Sequence, residues 1–275
     1  MNRIEEKLNH NKTKALITYI TAGLPDIETT KKLVKAQQAG GVDVIELGVP
    51  FSDPIADGPV IQAASYEAIQ NGATLKKIFK CMEEMRSEGV TVPIIFMMYY
   101  NTILHYGIKE FADKCKNAGV DGLIVPDLPF EEQDELADAL GDDGKTILIQ
   151  LVSPVSEDRI PMILENARGF VYCVSSMGVT GQAGGFHKEV RRYLEYVKSV
   201  SKIPVMMGFG IKSAADVEPL MDTIDGVIVG SHFINLMRDS NFDENAAKQY
   251  CKEFKQELIR RKYYERNIGK ARCRK

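Results

Sequence analysis

No run of 18 apolar residues occurs in the 275-residue chain, and its first thirteen residues are polar and charged, without the apolar stretch of a signal peptide. A membrane span and a secretory leader are therefore not expected, and the cytoplasm is the expected compartment. An excess of one charge is also lacking. Lys and Arg number 35 against 38 Asp and Glu, for a formal net charge of -3, so no global field draws the chain to nucleic acid or to an anionic membrane. Cysteine is sparse: Cys81, Cys115, Cys173, Cys251 and Cys273 form no CxxC pair. That argues against a disulfide scaffold in so long a chain and makes reduced thiols the expectation. The four histidines, His10, His105, His187 and His232, show no HExxH or other ligand spacing, and no metal site is expected. Nor is there a low-complexity stretch, a linker or an internal repeat that would split the chain.

What is there is alternation. Eight short β-rich apolar runs occupy 15–23, 43–50, 92–100, 121–127, 146–153, 169–176, 203–210 and 225–231. They are continuous rather than alternating in polarity, as parallel strands covered on both faces are. Between them lie segments of helical periodicity at 27–38, 60–71, 75–88, 108–117, 131–140, 157–167, 188–200 and 214–223, with a last one at 244–264. Gly41, Gly72, Gly89 and Gly119 close several of these, and Asp26, Ser156 and Ser213 are placed to open others. Strand then helix, eight times over about 250 residues, predicts a single α/β domain, a (β/α)8 or TIM barrel with extra N-terminal and loop helices. A doubly wound open sheet is the rival. It has fewer strands and a GxGxxG after the first, where this chain has TAGLPD. The barrel domain is expected over 1–265. From Lys248 onward eleven basic residues stand against three Glu, which predicts a solvated helix running into a disordered basic tail over 266–275.

In a barrel, chemistry sits at the C-terminal strand ends. Three of these are glycine-rich: Gly178 and Gly181 after the sixth run, Gly208 and Gly210 after the seventh, and Gly230-Ser231 after the eighth. Bare backbone there can approach a phosphate, and 232–237 can form a short helix whose N-terminus favours an anion; tight turns alone are the other reading. The second run ends in ELGVP, which aims Glu46 at the barrel mouth. Apolar surroundings would raise its pKa toward neutrality, as a proton shuttle requires. Asp57 follows in a loop stiffened by Pro54 and Pro59. A salt bridge inside the barrel is the competing explanation for Glu46.

In order along the chain stand YITAG (19–23), ELGVPFSDPIADGP (46–59), MMYYN (97–101), LIVPDLP (123–129), GVTG (178–181), GFGI (208–211) and VGS (229–231). This set resembles the tryptophan synthase α-chain family, over roughly 16–231. The resemblance implies a carbon–carbon lyase of tryptophan biosynthesis. It cleaves indole-3-glycerol phosphate to indole and glyceraldehyde 3-phosphate by a retro-aldol step, with no cofactor of its own. It implies Glu46 as general acid/base and Asp57 as acceptor of the indole N–H. Tyr172 would flank the substrate, and Tyr99 and Phe209 would wall the indole. Thr180 would bond Asp57 when its loop, 176–187, closes as a lid. Gly181, Gly210, Gly230 and Ser231 would hold the phosphate. It further implies a β-chain partner in an α2β2 tetramer, which carries pyridoxal phosphate and consumes the indole. Ser52, Asp53, Pro54, Asn101 and Pro129 would face that partner. The chain departs from many members in Thr102, where they carry proline, and in Ser176, where some carry a basic residue. Two alternatives stand beside the lyase. One is another phosphate-binding barrel isomerase or aldolase, although no strand end offers the lysine of a Schiff-base aldolase. The other is a non-catalytic activator of a β partner.

Overall fold

In the computed structural model, residues 2–10, 13–174, 183–208 and 210–272 are described, with the backbone alone for 183–187 and 261–272. The strands are β1 (Ala15–Thr21), β2 (Val44–Gly48), β3 (Ile94–Met97), β4 (Gly122–Ile124), β5 (Ile147–Leu148), β6 (Gln150–Val152), β7 (Val171–Val174), β8 (Val205–Gly208) and β9 (Gly226–Val229). All pair in parallel, in the order β5-β4-β3-β2-β1-β9-β8-β7-β6. The two ends of that order are one stretch of chain. Ile147–Leu148 pairs with β4, Gln150–Val152 pairs with β7, and only Ile149 lies between. The expected fifth strand is thus shared between two neighbours, and the eight predicted units close as a barrel with no free edge.

The helices are α1 (Arg3–Asn9), α2 (Ile27–Gly40), α3 (Pro59–Gln70), α4 (Leu75–Ser87), α5 (Tyr100–Tyr106), α6 (Ile108–Ala118), α7 (Asp134–Leu140), α8 (Ile160–Leu164), α9 (Ala183–Val200), α10 (Ser231–Asp239) and α11 (Glu244–Arg272). The extra N-terminal helix is α1, which seals the lower end of the barrel. Its Ile4 and Leu8 pack with Ile17, Ile95 and Phe170 inside. The Asn2 side chain donates to the carbonyls of Asp121, Gly144 and Lys145 at 2.8–3.1 Å. Asp121, fully buried, is held between Arg3 and Arg86.

Strand phase decides what faces the interior. Along β2, Ile45 and Leu47 pack outward against the helices, whereas Val44 belongs to the inner cluster. Positions 44, 46 and 48 therefore share the inner face. The same phase turns Ile17 and Tyr19 inward on β1 and Tyr172 inward on β7.

Local chemistry explains where the helices differ from expectation. Asp26 caps α2 by accepting from the Thr29 N–H at 2.7 Å, and Gly41, Gly72, Gly89 and Gly119 all have positive φ at helix ends. The helix expected at 214–223 is instead a chain of turns with a 3-10 segment at Glu218–Leu220. Pro219 lacks an N–H there, and Asp216 accepts from the Lys212 and Ser213 N–H groups, an alternative to helix. Ser213 donates to Asp216 rather than capping a helix. Ser156 lies within the 3-10 segment Pro154–Arg159, which takes the start of the helix expected at 157–167. The final helix runs to Arg272 instead of stopping at Tyr264, and so takes in most of the stretch read as a disordered tail. Apart from Gly269, the end of α11 holds no strong helix breaker. It docks on α2, where a Cβ at Gly40 would lie 2.6 Å from the Lys248 carbonyl oxygen, so only glycine admits the contact. Cys81, Cys115, Cys173 and Cys251 are buried free thiols, as expected; Cys273 lies outside the described residues.

Candidate active site

A cavity of about 510 Å³ opens at the C-terminal ends of the strands. Asp57, Ile61, Tyr172, Gly208, Gly210, Gly230 and Ser231 line it, with Pro126, Ser153 and Ser156 across the mouth. No lysine, arginine or histidine is among its described wall residues. What the described wall offers an anion is backbone N–H groups and hydroxyls. Gly230 is the N-cap of α10, and the N–H groups of Phe233 and Ile234 turn back to its carbonyl, so the free donors of the first turn are those of Ser231 and His232. Gly210 has φ +56, a conformation that presents its N–H without a side chain in the way. The short helix expected at 232–237 is thus α10, one turn longer.

Below this cavity lies Glu46, 1% exposed and absent from the wall. Its Oε1 has no hydrogen-bond partner. Burial, and then the charge of Asp57, push its carboxyl up to about 8. A salt bridge was the competing explanation for this residue, and among the described residues no cation pairs with it. Asp57 is half-buried at the cavity wall. Burial raises its carboxyl to about 6, and a hydrogen bond from Tyr99 holds it from rising further. The site therefore pairs a buried carboxyl pushed up to about 8 with a second acid held lower, near 6, so the second ionises first.

The second loop, 51–58, is built to hold Asp57. Its N–H bonds the Pro54 carbonyl at 3.1 Å, and its own carbonyl accepts from the Gln62 amide at 2.8 Å. The Tyr99 hydroxyl accepts from the Ala56 N–H at 2.9 Å, and its ring stacks on Phe51 at 5.0 Å. Tyr99, expected as an indole wall, is buried and anchors this loop. Ser52, Asp53, Asn101 and Pro129 are exposed and Pro54 half-buried on the rim; Ile55 among them is 84% exposed. Thr180, Gly181, Phe209 and the segment 176–182 fall outside the described residues, as do the side chains of 183–187. Tyr19 was not singled out from the sequence, although it stands in register with Glu46. The one signal was a phenol in the middle of a strand whose other residues are aliphatic or threonine.

A parallel barrel with a buried carboxyl of raised pKa under its mouth, a second acid on the cavity wall and a helix N-terminus at its rim has the layout of a barrel enzyme. The family model described as tryptophan synthase alpha chain matches residues 6–262. The tryptophan synthase alpha chain of Lachnospira eligens is 63% identical over 262 residues, covering 94% of this chain and 99% of that one. That of Petrotoga mobilis is 41% identical over 258 residues, covering 94% and 99%. Among solved structures, tryptophan synthase subunit alpha from Legionella pneumophila superposes with a TM-score of 0.85 at 34% identity, covering 94% of this chain and 99% of that one. A chain of the tryptophan synthase complex from Pyrococcus furiosus gives 0.77 at 32%, covering 90% and 98%. The chain belongs to the tryptophan synthase alpha chain family. It is a lyase of tryptophan biosynthesis that acts on indole-3-glycerol phosphate as the alpha component of a tryptophan synthase complex.

Proposed function

We propose that Glu46 and Asp57 divide the retro-aldol cleavage of indole-3-glycerol phosphate between them. The protonated Glu46 carboxyl delivers a proton to C3 of the indole, which leaves an iminium-like positive charge on the ring nitrogen. The ionised Asp57 accepts the indole N–H and balances that charge. The Glu46 carboxylate then takes the proton of the side-chain hydroxyl adjoining C3. The oxygen becomes the aldehyde of glyceraldehyde 3-phosphate, the C–C bond breaks, and its electrons restore the indole ring. Proton count and electron count both close on Glu46. The observation that carries this reading is the pair of carboxyl groups held near 8 and near 6, the first buried with an unpartnered oxygen.

Tyr172 bounds the substrate from β7, and the phosphate rests on the backbone at Gly210, Gly230 and Ser231, with Gly181 completing the cradle. Phe209 walls the indole, and Thr180 reaches Asp57 when its loop closes. Tyr99 acts through Asp57 by fixing its loop. No lysine on the described wall offers a Schiff base, which disfavours the aldolase alternative, and the pair of acids disfavours a non-catalytic activator. The steps need proton transfers alone, so pyridoxal phosphate serves the beta partner and not this chain. Ser52, Asp53, Pro54, Asn101 and Pro129 form the rim that meets that partner. No described helix is long and apolar enough to cross a membrane, and we assign the reaction to the cytoplasm. Indole release from indole-3-glycerol phosphate, measured with and without a beta chain, tests the reading; no indole under either condition would overturn it.

A prediction follows for the cradle. A Cβ at Gly210 has open space, but φ +56 strains any L side chain. Gly210→Ala is therefore expected to shift the loop and raise KM by about tenfold while changing kcat by about twofold, because phosphate is held alike in ground and transition states. Steady-state kinetics read this directly; a fall in kcat at constant KM would move Gly210 out of the cradle.

A further inference from the structure

Tyr19 and Glu46 are direct neighbours across the β1–β2 ladder, and both face the barrel interior. Gly48 is two residues beyond Glu46, on the same face and one level nearer the mouth. A Cβ built on Gly48 would lie 2.0 Å from the Tyr19 hydroxyl oxygen. The room a side chain would fill directly above Glu46 is thus filled by that hydroxyl. Glu46 itself is nearly fully buried and does not line the cavity. Tyr19 is itself 4% exposed. The Thr21 hydroxyl donates to the Tyr19 oxygen at 3.4 Å, which leaves the Tyr19 proton for an acceptor, while Glu46 Oε1 is buried with none.

We infer that Tyr19 is a positioning residue of the lyase, its hydroxyl donating to the Glu46 carboxylate that forms as the proton passes to the substrate. The inference rests on Glu46 being the acid. Burial and the charges of Asp57 and Glu46 hold the Tyr19 phenol far above its usual range, so it stays a neutral donor throughout. Among the described residues, the groups that bear on Glu46 electrostatically are Asp57 from the second loop, Tyr19 from β1 and Tyr172 from β7. Of these, Tyr19 alone fills the level above it on β2. A donor there makes Glu46 a stronger acid than burial alone would allow, at the moment when acidity is needed. Gly48 is required for the same reason, since any side chain at 48 displaces the hydroxyl.

The test is Tyr19→Phe, assayed as the full chain with a beta chain, reading kcat and the pH profile of kcat/KM. Loss of a hydrogen bond to a charged group is expected to lower kcat about tenfold and move the alkaline limb, set by Glu46, upward by about one pH unit. KM should stay within about twofold. Gly48→Ala, which pushes the hydroxyl aside without removing it, should move the limb in the same direction and carries the test if the first variant does not fold. A lower rate with the limb in place means packing alone and overturns the inference, as does a limb that moves down. If Glu46→Gln abolishes activity while the limb stays unmoved in both variants, only the Tyr19 inference fails. If Glu46→Gln stays active, the reading of Glu46 fails first.

Discussion

Glu46→Gln is expected to remove nearly all indole release, by about 10²–10⁴-fold, while leaving a folded and more alkali-resistant chain. The amide nearly matches the carboxyl in shape but can neither deliver a proton to C3 nor collect one from the side-chain hydroxyl. Stability should move the other way. The carboxyl titrates near 8 in the folded chain against 4.5 for an unburied glutamate. A raised folded value means that the folded state holds its proton where the unfolded state has released it. The unfolded chain is therefore favoured progressively as pH rises from about 4.5 to about 8, and fully above that. Glutamine escapes this cost, on the order of a few kcal/mol at pH 9. Thermal melts of both proteins at pH 5 and pH 9 check it. The melting temperatures should lie close together at pH 5, and the variant should be several degrees higher at pH 9. A variant that kept half its rate, or melted below the parent at pH 9, would make Glu46 a structural acid.

That Glu46 and Asp57 belong together was readable in the chain because both lie within one motif of 14 residues, between prolines that restrict the path. The eight strands were readable for a different reason. A strand buried on both faces must be apolar throughout, and only the strand-end acid breaks the pattern in VIELG. What could not be read depended on contacts between distant segments. Nothing in MMYYN says that Tyr99 stacks on Phe51 and accepts from the Ala56 N–H, since that depends on how the second and third loops meet. Nothing local to 147–152 says that one strand is divided between two neighbours, because barrel closure is a property of the whole sheet. The segment 214–223 has helical periodicity, but the side chain of Asp216 competes for the N–H groups of Lys212 and Ser213, and Pro219 withholds one more. Tyr19 was hidden for the most instructive reason. Its relation to Glu46 passes through a residue with no side chain, and a glycine that leaves room for a neighbour looks the same in sequence as one that makes a turn.

Asp57→Asn is expected to cost about 10²-fold in kcat with KM nearly unchanged, because the amide oxygen still accepts the indole N–H but no longer balances the positive charge that appears only after C3 is protonated. The pH profile separates this from simple damage to the loop. In the parent enzyme Asp57 must be ionised and Glu46 protonated, so kcat/KM should rise through about pH 6 and fall through about pH 8. In Asp57→Asn the acid limb loses its owner and should vanish. The alkaline limb should move down, because the Asp57 charge is one of the two causes that raise the Glu46 carboxyl. Tyr99→Phe gives the complementary result. Removing the hydrogen bond that restrains Asp57 should shift the acid limb upward and leave the alkaline limb close to its place. An acid limb that persisted unchanged in Asp57→Asn would belong to the substrate phosphate, whose second ionisation also lies near 6. Asp57 would then be a loop residue and not the partner of the developing charge.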